Sequence, residues 1–363
     1  MSPNEGEGGS ALVIGAGIAG LTVASSLSGM GIKVHLVERE KELGGRVIRS
    51  KALFPGMNDA RVFIKERLEK VISDPNITVH AQSTLSQVDR SEVFEVEISQ
   101  VLDLNEKGCT GLRPERVGAV VIATGLEGVD ASIIPELGYG RLRNVVTSVE
   151  FEDLLDPHGP SVGKVLRPSD HAPATSVVFI QCVGSRVEKR GVPYCSTVCC
   201  ANAIKSAILL KEMDVRMDVY ILYIDIRTHG KGYEALYKKG RERGVKFIRG
   251  QPSMVTKVPR SEQVLVLGEN TLLKELYEIP VDLVVLAIGL KQRESNRELF
   301  EMLGVRLDKE NLVQNPGRGE ESVLTTAPGV FVAGSVEAPK DIRDTIVQAE
   351  AAALATAKYL GRL

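Results

Sequence analysis

Ala11-Leu-Val-Ile-Gly15-Ala-Gly17-Ile-Ala-Gly20, near the head of a 363-residue chain, decides the fold. Four apolar residues without polar alternation predict a strand buried on both faces, as in a parallel sheet. Leu21 to Ser28 then reads as a helix and Lys33 to Val37 as the next strand, so the glycines fall where a strand hands over to a helix. In that βαβ context each glycine has a task. Gly15 makes the tight turn, Gly17 lets the backbone approach a pyrophosphate, and Gly20 lets helix and strand pack closely. The first helical residues, Ile18 and Ala19, present the positive end of the helix. Glu38, followed by Arg39, closes the second strand and stands where a ribose diol would be held.

Downstream, Leu43-Gly44-Gly45-Arg46 is a second glycine turn, and Arg61 to Ile72 reads as a helix. Strand Ile77 to His80 and the alternating stretch Val93 to Ile98 follow, the latter fitting a β-meander. Next comes Gly118-Ala-Val-Val-Ile-Ala-Thr-Gly125. Between Asp156 and Thr175 the composition turns to Pro, Gly, Ser and Asp, as in a linker. A second series succeeds it: strand Val177 to Ile180, a helix through about Lys211, strand Val219 to Ile226, helix Tyr233 to Arg243, strand Val245 to Ile248 and the apolar run Asp282 to Gly289. The chain ends in Gly329-Val-Phe-Val-Ala-Gly-Ser335 and an alanine-rich helix from Asp341 to Leu360, which is expected to return to the first lobe. The fold class is therefore α/β with two Rossmann-like lobes. The expected divisions are a flexible leader at 1–10, a nucleotide lobe at 11–155 plus 325–363, and a second lobe at 156–324.

Composition narrows the function. Lys and Arg number 45 against 47 Asp and Glu, a net charge of −2 that argues against a nucleic-acid footprint or a polybasic anchor. No apolar run reaches the ~18 residues a spanning helix needs, so no membrane insertion is expected. Thirty-five glycines, about a tenth of the chain against an average near ~7%, fit a fold rich in tight turns. Five cysteines are too few for a secreted disulfide scaffold, and Met1 to Ser10 carries no basic-then-apolar signal, so a reduced, cytoplasmic setting is expected.

The second lobe lacks the turn that would bind a nicotinamide nucleotide. After Val177 to Ile180 stands Gln181-Cys-Val-Gly-Ser-Arg186, with one glycine remaining. In place of the fingerprint four of the five cysteines crowd together: Cys182, Cys195, Cys199 and Cys200. Cys195 and Cys199 share a face if the helix has already begun, with Cys200 about 100° round. Four thiols suit zinc or an iron–sulfur cluster, yet the paired C-x2-C knuckles of structural zinc sites are missing. Buried free thiols and a redox disulfide remain open. Cys109, apart from the rest, reads as an ordinary thiol. There is no H-E-x-x-H, G-x-S-x-G or C-x-x-C pattern, and no catalytic residue is nominated. Lys238, Lys239, Arg241 and Arg243 read as a solvated helix face.

The turn at Leu43 to Arg46, Ala123-Thr-Gly125 and Gly329 to Gly334 resemble signatures of the two-dinucleotide-binding flavoproteins of thioredoxin reductase type. That resemblance implies FAD. It also implies that the helix after Pro339-Lys-Asp-Ile-Arg-Asp-Thr345 aims its N-terminus at the flavin pyrimidine. Ser335 departs from the pattern, standing where an acid commonly follows the last glycine. The FAD-binding set so implied is Gly15, Gly17, Ile18, Ala19, Gly20, Glu38, Arg39, Gly45, Arg46, Val47, Leu85, Ala123, Thr124, Gly125, Gly334, Ser335, Asp344, Thr345 and Ile346. Lys205, a short step beyond Cys200, joins it as a cation for the flavin N5/O4 edge, the alternative being a solvated lysine.

A more specific resemblance spans nearly the whole chain. Phe179-Ile-Gln-Cys-Val-Gly-Ser-Arg186, Pro193-Tyr-Cys-Ser-Thr-Val-Cys-Cys200, Tyr223-Ile-Asp-Ile-Arg227, Gly230-Lys-Gly-Tyr233 and Val245-Lys-Phe-Ile-Arg-Gly250 resemble the A-type subunits of heterodisulfide reductases. The resemblance implies a [4Fe-4S] cluster on Cys182, Cys195, Cys199 and Cys200 beside FAD, B- and C-type partner subunits and a homodimer. Phe54-Pro-Gly-Met-Asn-Asp59 holds no cysteine where methanogen-type subunits carry a further motif. The chain is therefore similar to the short A-type subunits of heterodisulfide reductase-like complexes of sulfur oxidisers. The implied role is an electron relay between flavin and cluster during cytoplasmic sulfur-compound oxidation. A stand-alone NAD(P)H-dependent flavin oxidoreductase and an FAD-containing assembly module are the alternatives.

Overall fold

The structure is a computed structural model; it describes residues 9–91, 93–101, 109–317 and 321–362. Two compact units emerge. The first comprises Met1–Ile48, Val62–Glu127 and Gln292–Leu363, the second Arg49–Arg61 and Gly128–Lys291.

In the first unit, strand Ser10–Ile14 lies at the centre of a five-stranded parallel sheet. It is flanked by Lys33–Val37 and then Ile77–His80 on one side, and by Ala119–Ile122 and then Val330–Val332 on the other. Ala11, Leu12 and Val13 are wholly buried, which is why the opening run shows no polar alternation. Helix Ile18–Gly29 packs against the C-terminal helix Ile342–Tyr359, and Ser26 Oγ donates to Glu350 Oε2 across that contact at 2.6 Å. The last strand and helix therefore do return to the first lobe. The meander exists: Ser83–Arg90, Phe94–Val101 and Cys109–Val117 form an antiparallel sheet. The expected leader falls almost wholly outside the described residues, and its last member, Ser10, opens the central strand.

The second unit repeats the plan. Its parallel sheet runs Val145–Thr147, Leu283–Ile288, Ser176–Val183, Asp218–Tyr223, Lys246–Arg249. Val177 and Phe179 face one buried cluster while Val178 and Ile180 face another, the alternation of a strand covered on both sides. Helix Cys199–Met213 packs on the Phe179 side. Three-stranded antiparallel sheet Pro252–Lys257, Val264–Asn270 and Glu275–Val281, not recognised from sequence, contributes Val255, Val266 and Ile279 to the other side.

The compact units and the boundaries suggested by composition differ. The Pro- and Gly-bearing stretch after Asp156 runs inside the second unit. An antiparallel bridge between Leu166 and Pro173 and the ion pair of Arg167 with buried Asp282 pin it there. Turn-forming residues marked a pinned surface loop rather than a linker. Among the described residues no helix is long and apolar enough to cross a membrane.

Candidate functional site

The chemistry-bearing residues divide between the units, and each group is described within its own unit.

In the first unit Gly15, at φ +102°, donates its N–H to Val37 O at 2.7 Å, and a Cβ there would come within 2.6 Å of Ala123 O. Gly17 is the N-cap of helix Ile18–Gly29 with no side chain capping the first-turn N–H groups, and a Cβ built on it meets nothing within 4 Å. That leaves orphan donors and open space together, the conditions for an anion at a helix N-terminus. Gly20 is the opposite case: its Cβ would stand 1.8 Å from Gly15 O.

Glu38 is buried and oriented by two backbone donors, the Ala16 N–H to Oε2 at 2.8 Å and the Glu40 N–H to Oε1 at 3.0 Å. Each oxygen keeps a lone pair for a sugar hydroxyl. The second glycine turn reaches the first, since the Gly44 N–H donates to Ala16 O and Gly45, at φ +57°, would place a Cβ 3.0 Å from Gly17 Cα. Val47, Leu85 and Ala123 are buried, while Arg39 and Arg46 are exposed. Arg39 donates to Ser295 Oγ at 3.1 Å.

Gly334, at φ +78°, lies where both helices begin: a Cβ would meet Ala19 Cβ at 2.7 Å and Thr345 Cγ2 at 3.2 Å. Its N–H donates to Gln348 Oε1, and its carbonyl accepts from Lys340 Nζ. Burial lowers the Lys340 ammonium against the opposing pull of Glu337. Thr345 is buried, Ser335 and Ile346 are half-buried and Asp344 is exposed, its N–H accepted by the Asp341 cap at 2.8 Å. Sequence reasoning missed Arg293, whose Nε is buried without a partner; burial and the Arg39 charge lower its pKa against attraction from Glu127, Glu38 and Glu40. Thr124 Oγ1 is likewise buried and unpaired beside Gly125. Such orphans call for an absent polar partner, and with the open cradle at Gly17 they fit a dinucleotide.

In the second unit strand Ser176–Val183 carries an irregularity between Ile180 and Val183, where Cys182 adopts φ +60°. Arg186 and Thr197 are also left-handed, at φ +64° and +56°. The helix opens at Cys199, so Cys195 precedes it and the expected i, i+4 pairing of Cys195 and Cys199 on one helical face does not form. The four cysteines are free. The Thr197 N–H donates to Cys195 Sγ at 3.4 Å, Cys199 Sγ donates to Ile288 O at 3.5 Å and Cys200 Sγ to Asp225 O at 3.8 Å. Burial and the charge of the neighbouring thiolates push Cys199 far up and Cys200 up to about 11. Cys182 is raised chiefly by burial, against an opposing hydrogen bond from Arg186.

Burial and mutual repulsion thus oppose the thiolate forms of Cys182, Cys199 and Cys200, which positive charge among them would favour. Among the described residues no three His, Cys, Asp or Glu side chains stand as ligands of a single ion. A cubane holds its thiolates farther apart than one ion does, and the all-sulfur donor set fits iron–sulfur chemistry.

Lys205 lies on the cysteine helix, 1% exposed, with its ammonium bound to Glu152 Oε1, so the solvated alternative is excluded. Glu152 Oε2 and both amide atoms of wholly buried Gln181, the residue before Cys182, have no partner. Lys238, Lys239 and Arg243 pair with Glu242 and Glu212, as a solvated face would.

Comparison with known proteins matches residues 13–63 to the NAD(P)-binding Rossmann-like domain family. The chain is 34% identical to the iron-sulfur A-type subunit of the CoB--CoM heterodisulfide reductase of Methanocaldococcus jannaschii, over 95% of this chain and 63% of the relative. It is also 34% identical to the A-type subunit of the H(2)/formate:CoB-CoM heterodisulfide,ferredoxin reductase of Methanococcus maripaludis, over 96% of this chain and 64% of the relative. It thus spans less than two thirds of these relatives' length. Among solved structures, thioredoxin reductase of T. acidophilum superposes with a TM-score of 0.65 at 16% identity, over 96% of this chain and 97% of that one. The Lactococcus lactis enzyme gives 0.64 at 18%, over 98% and 99%. In fold the chain is similar to thioredoxin reductases, with two Rossmann-like lobes, and in sequence it is similar along nearly its whole length to A-type subunits of heterodisulfide reductases.

Proposed function

We propose that this chain is an oxidoreductase subunit that holds FAD in its first unit and a [4Fe-4S] cluster on Cys182, Cys195, Cys199 and Cys200 in its second, relaying and storing electrons between them. One observation carries the reading: the second lobe keeps a Rossmann-like sheet, but four free cysteines, two buried and two half-buried, crowd together where its glycine turn would be. When bound, the flavin exchanges one or two electrons and the cluster one, so together they couple two-electron chemistry to a one-electron wire. The chain's own residues then have separate tasks. Gly15, Gly17, Ile18, Ala19 and Gly20, with Gly45, Arg46 and Val47, shape the pyrophosphate cradle, and Glu38 and Arg39 hold the ribose side. Ala123, Thr124, Gly125 and Leu85 line the nucleotide side, and Gly334, Ser335, Asp344, Thr345 and Ile346 receive the ribityl and pyrimidine end. Lys205, buried and paired with Glu152, supplies a cation for the N5/O4 edge.

The setting belongs to the same proposal: a complex with B- and C-type subunits, a homodimer of this A-type chain, and sulfur-compound oxidation in the cytoplasm. The cysteine-free stretch Phe54 to Asp59 supports the sulfur-oxidiser type over the methanogen type. The test is FAD, iron and acid-labile sulfide analysis of protein matured anaerobically with iron. About one FAD and four each of iron and sulfide per chain are expected, with Cys199→Ala losing iron and sulfide but keeping FAD. Flavin without iron or sulfide, or rapid bleaching of the flavin by NADH or NADPH, would overturn the reading.

A further inference from the structure

We infer that Arg186, held by Asp225, is a positioning residue whose charge sets the redox potential of the group carried by the four cysteines; this rests on the reading of those cysteines as cluster ligands. The placement is specific. Arg186 ends the turn that begins at Cys182, and its backbone occupies the left-handed region, unfavourable for a long side chain. The loop is tied on both sides: the Arg186 N–H donates to Tyr194 O at 3.1 Å, and Ser185 Oγ donates to the same carbonyl at 2.8 Å. Two guanidinium nitrogens reach the two Asp225 oxygens, at 2.5 and 3.3 Å. Cys182 stands at the other end of the same turn, which the Ser185 N–H closes on Cys182 O at 3.2 Å.

Asp225 faces a second cysteine through its backbone, whose carbonyl accepts from Cys200 Sγ at 3.8 Å, and Arg227 Nε lies 3.4 Å from Asp225 Oδ1. One charged cluster thus stands beside two of the four cysteines, Cys182 through the turn and Cys200 through the Asp225 carbonyl, and the Thr197 N–H bonds the sulfur of a third, Cys195. A connecting turn with no electrical task needs neither a left-handed arginine nor a carboxylate to aim it. Donors and positive charge beside ligand sulfurs favour the electron-rich state, and groups hydrogen-bonded to the ligands are a general lever on cluster potential.

The experiment is an EPR-monitored redox titration of the full-length protein, anaerobically matured, for wild type, Arg186→Gln, Arg186→Lys and Asp225→Asn, with iron and sulfide assayed on each sample. Arg186→Gln should lower the cluster midpoint, so that less than half is reduced at the wild-type midpoint. Arg186→Lys should fall between the two, and Asp225→Asn, which deletes a negative charge, should shift upward. The gap between wild type and Arg186→Gln should narrow as ionic strength rises, a response that a purely structural role does not produce. Full iron and sulfide with coincident midpoints in wild type and Arg186→Gln would overturn the inference. Should the Gln variant fail to take up iron, the order of Asp225→Asn above Arg186→Lys decides, and the reverse order refutes it. A wild-type protein without iron and sulfide would refute the cluster reading itself.

Discussion

Gly17→Ala separates binding from folding at the first glycine turn. Gly17 sits at φ −74°, ψ −176°, extended backbone that alanine adopts without strain, and the added methyl meets nothing within 4 Å. Alanine is a poorer N-cap than glycine by about 0.5–1 kcal/mol, and the stiffer unfolded chain offsets about 0.4–1 kcal/mol, so the apoprotein should unfold within about 1 kcal/mol of wild type. The methyl does, however, enter the space assigned to the pyrophosphate. Forcing an extra methyl into a packed contact costs about 1–3 kcal/mol, which weakens FAD binding by about 5- to 150-fold. Urea unfolding of both apoproteins reads the first quantity, and titration of FAD into them, followed by quenching of flavin fluorescence, reads the second. Unchanged FAD affinity would refute the placement of the pyrophosphate at Gly17; equal losses of stability and affinity would refute the claim that the methyl is felt only by the ligand.

Gly20→Ala should fail differently: a Cβ 1.8 Å from Gly15 O forces helix and strand apart, so soluble yield or thermal stability should collapse whether or not FAD is supplied, as a thermal scan with and without FAD would show. Lys205→Met leaves Glu152 buried without its cation and should cost about 3–5 kcal/mol by denaturant unfolding, whereas adding Glu152→Leu should recover most of it; equal loss in the single and double variants would show that the pair is not the cause. Burial acts to raise the Asp282 carboxyl, but bonds from Thr175 and Gln263 and the Arg167 charge outweigh it and hold the pKa below the usual range. A depressed carboxylate adds stability that is present above its unfolded value, near about 3.9, and is lost as the pH falls through the folded value. Denaturant midpoints between about pH 5 and pH 3 should therefore fall less steeply in Asp282→Asn than in wild type; parallel slopes would contradict this.

The parts legible in the sequence were those that repeat a physical rule locally. Ala11 to Ile14 showed no alternation because both its faces are covered, and Gly15, Gly17 and Gly20 stand at fixed spacing because three different clearances demand them. Cys182, Cys195, Cys199 and Cys200 were visible as a crowd, but the helix boundary that separates Cys195 from Cys199 was not. Val198 is the N-cap and its side chain makes no capping bond, so no signal marks that start. The antiparallel strands from Pro252 to Val281 were missed because exposed Leu272 and Leu273 in the turn and Leu276 on the outer face of the last strand blur the period-two pattern. Arg293 and Thr124 gave no local sign either: their orphaned atoms become visible only when distant segments close around them.

Flavin and cluster, as proposed, exchange electrons within one chain. Stepwise photoreduction of the anaerobically matured full-length protein, with flavin absorbance and the EPR signal of the reduced cluster recorded on the same sample, tests it most directly. Both centres should titrate and share electrons at intermediate reduction, and in Cys199→Ala the EPR signal should be lost while flavin reduction persists. A flavin that titrates alone in the wild-type protein, with no cluster signal at any degree of reduction, would contradict it.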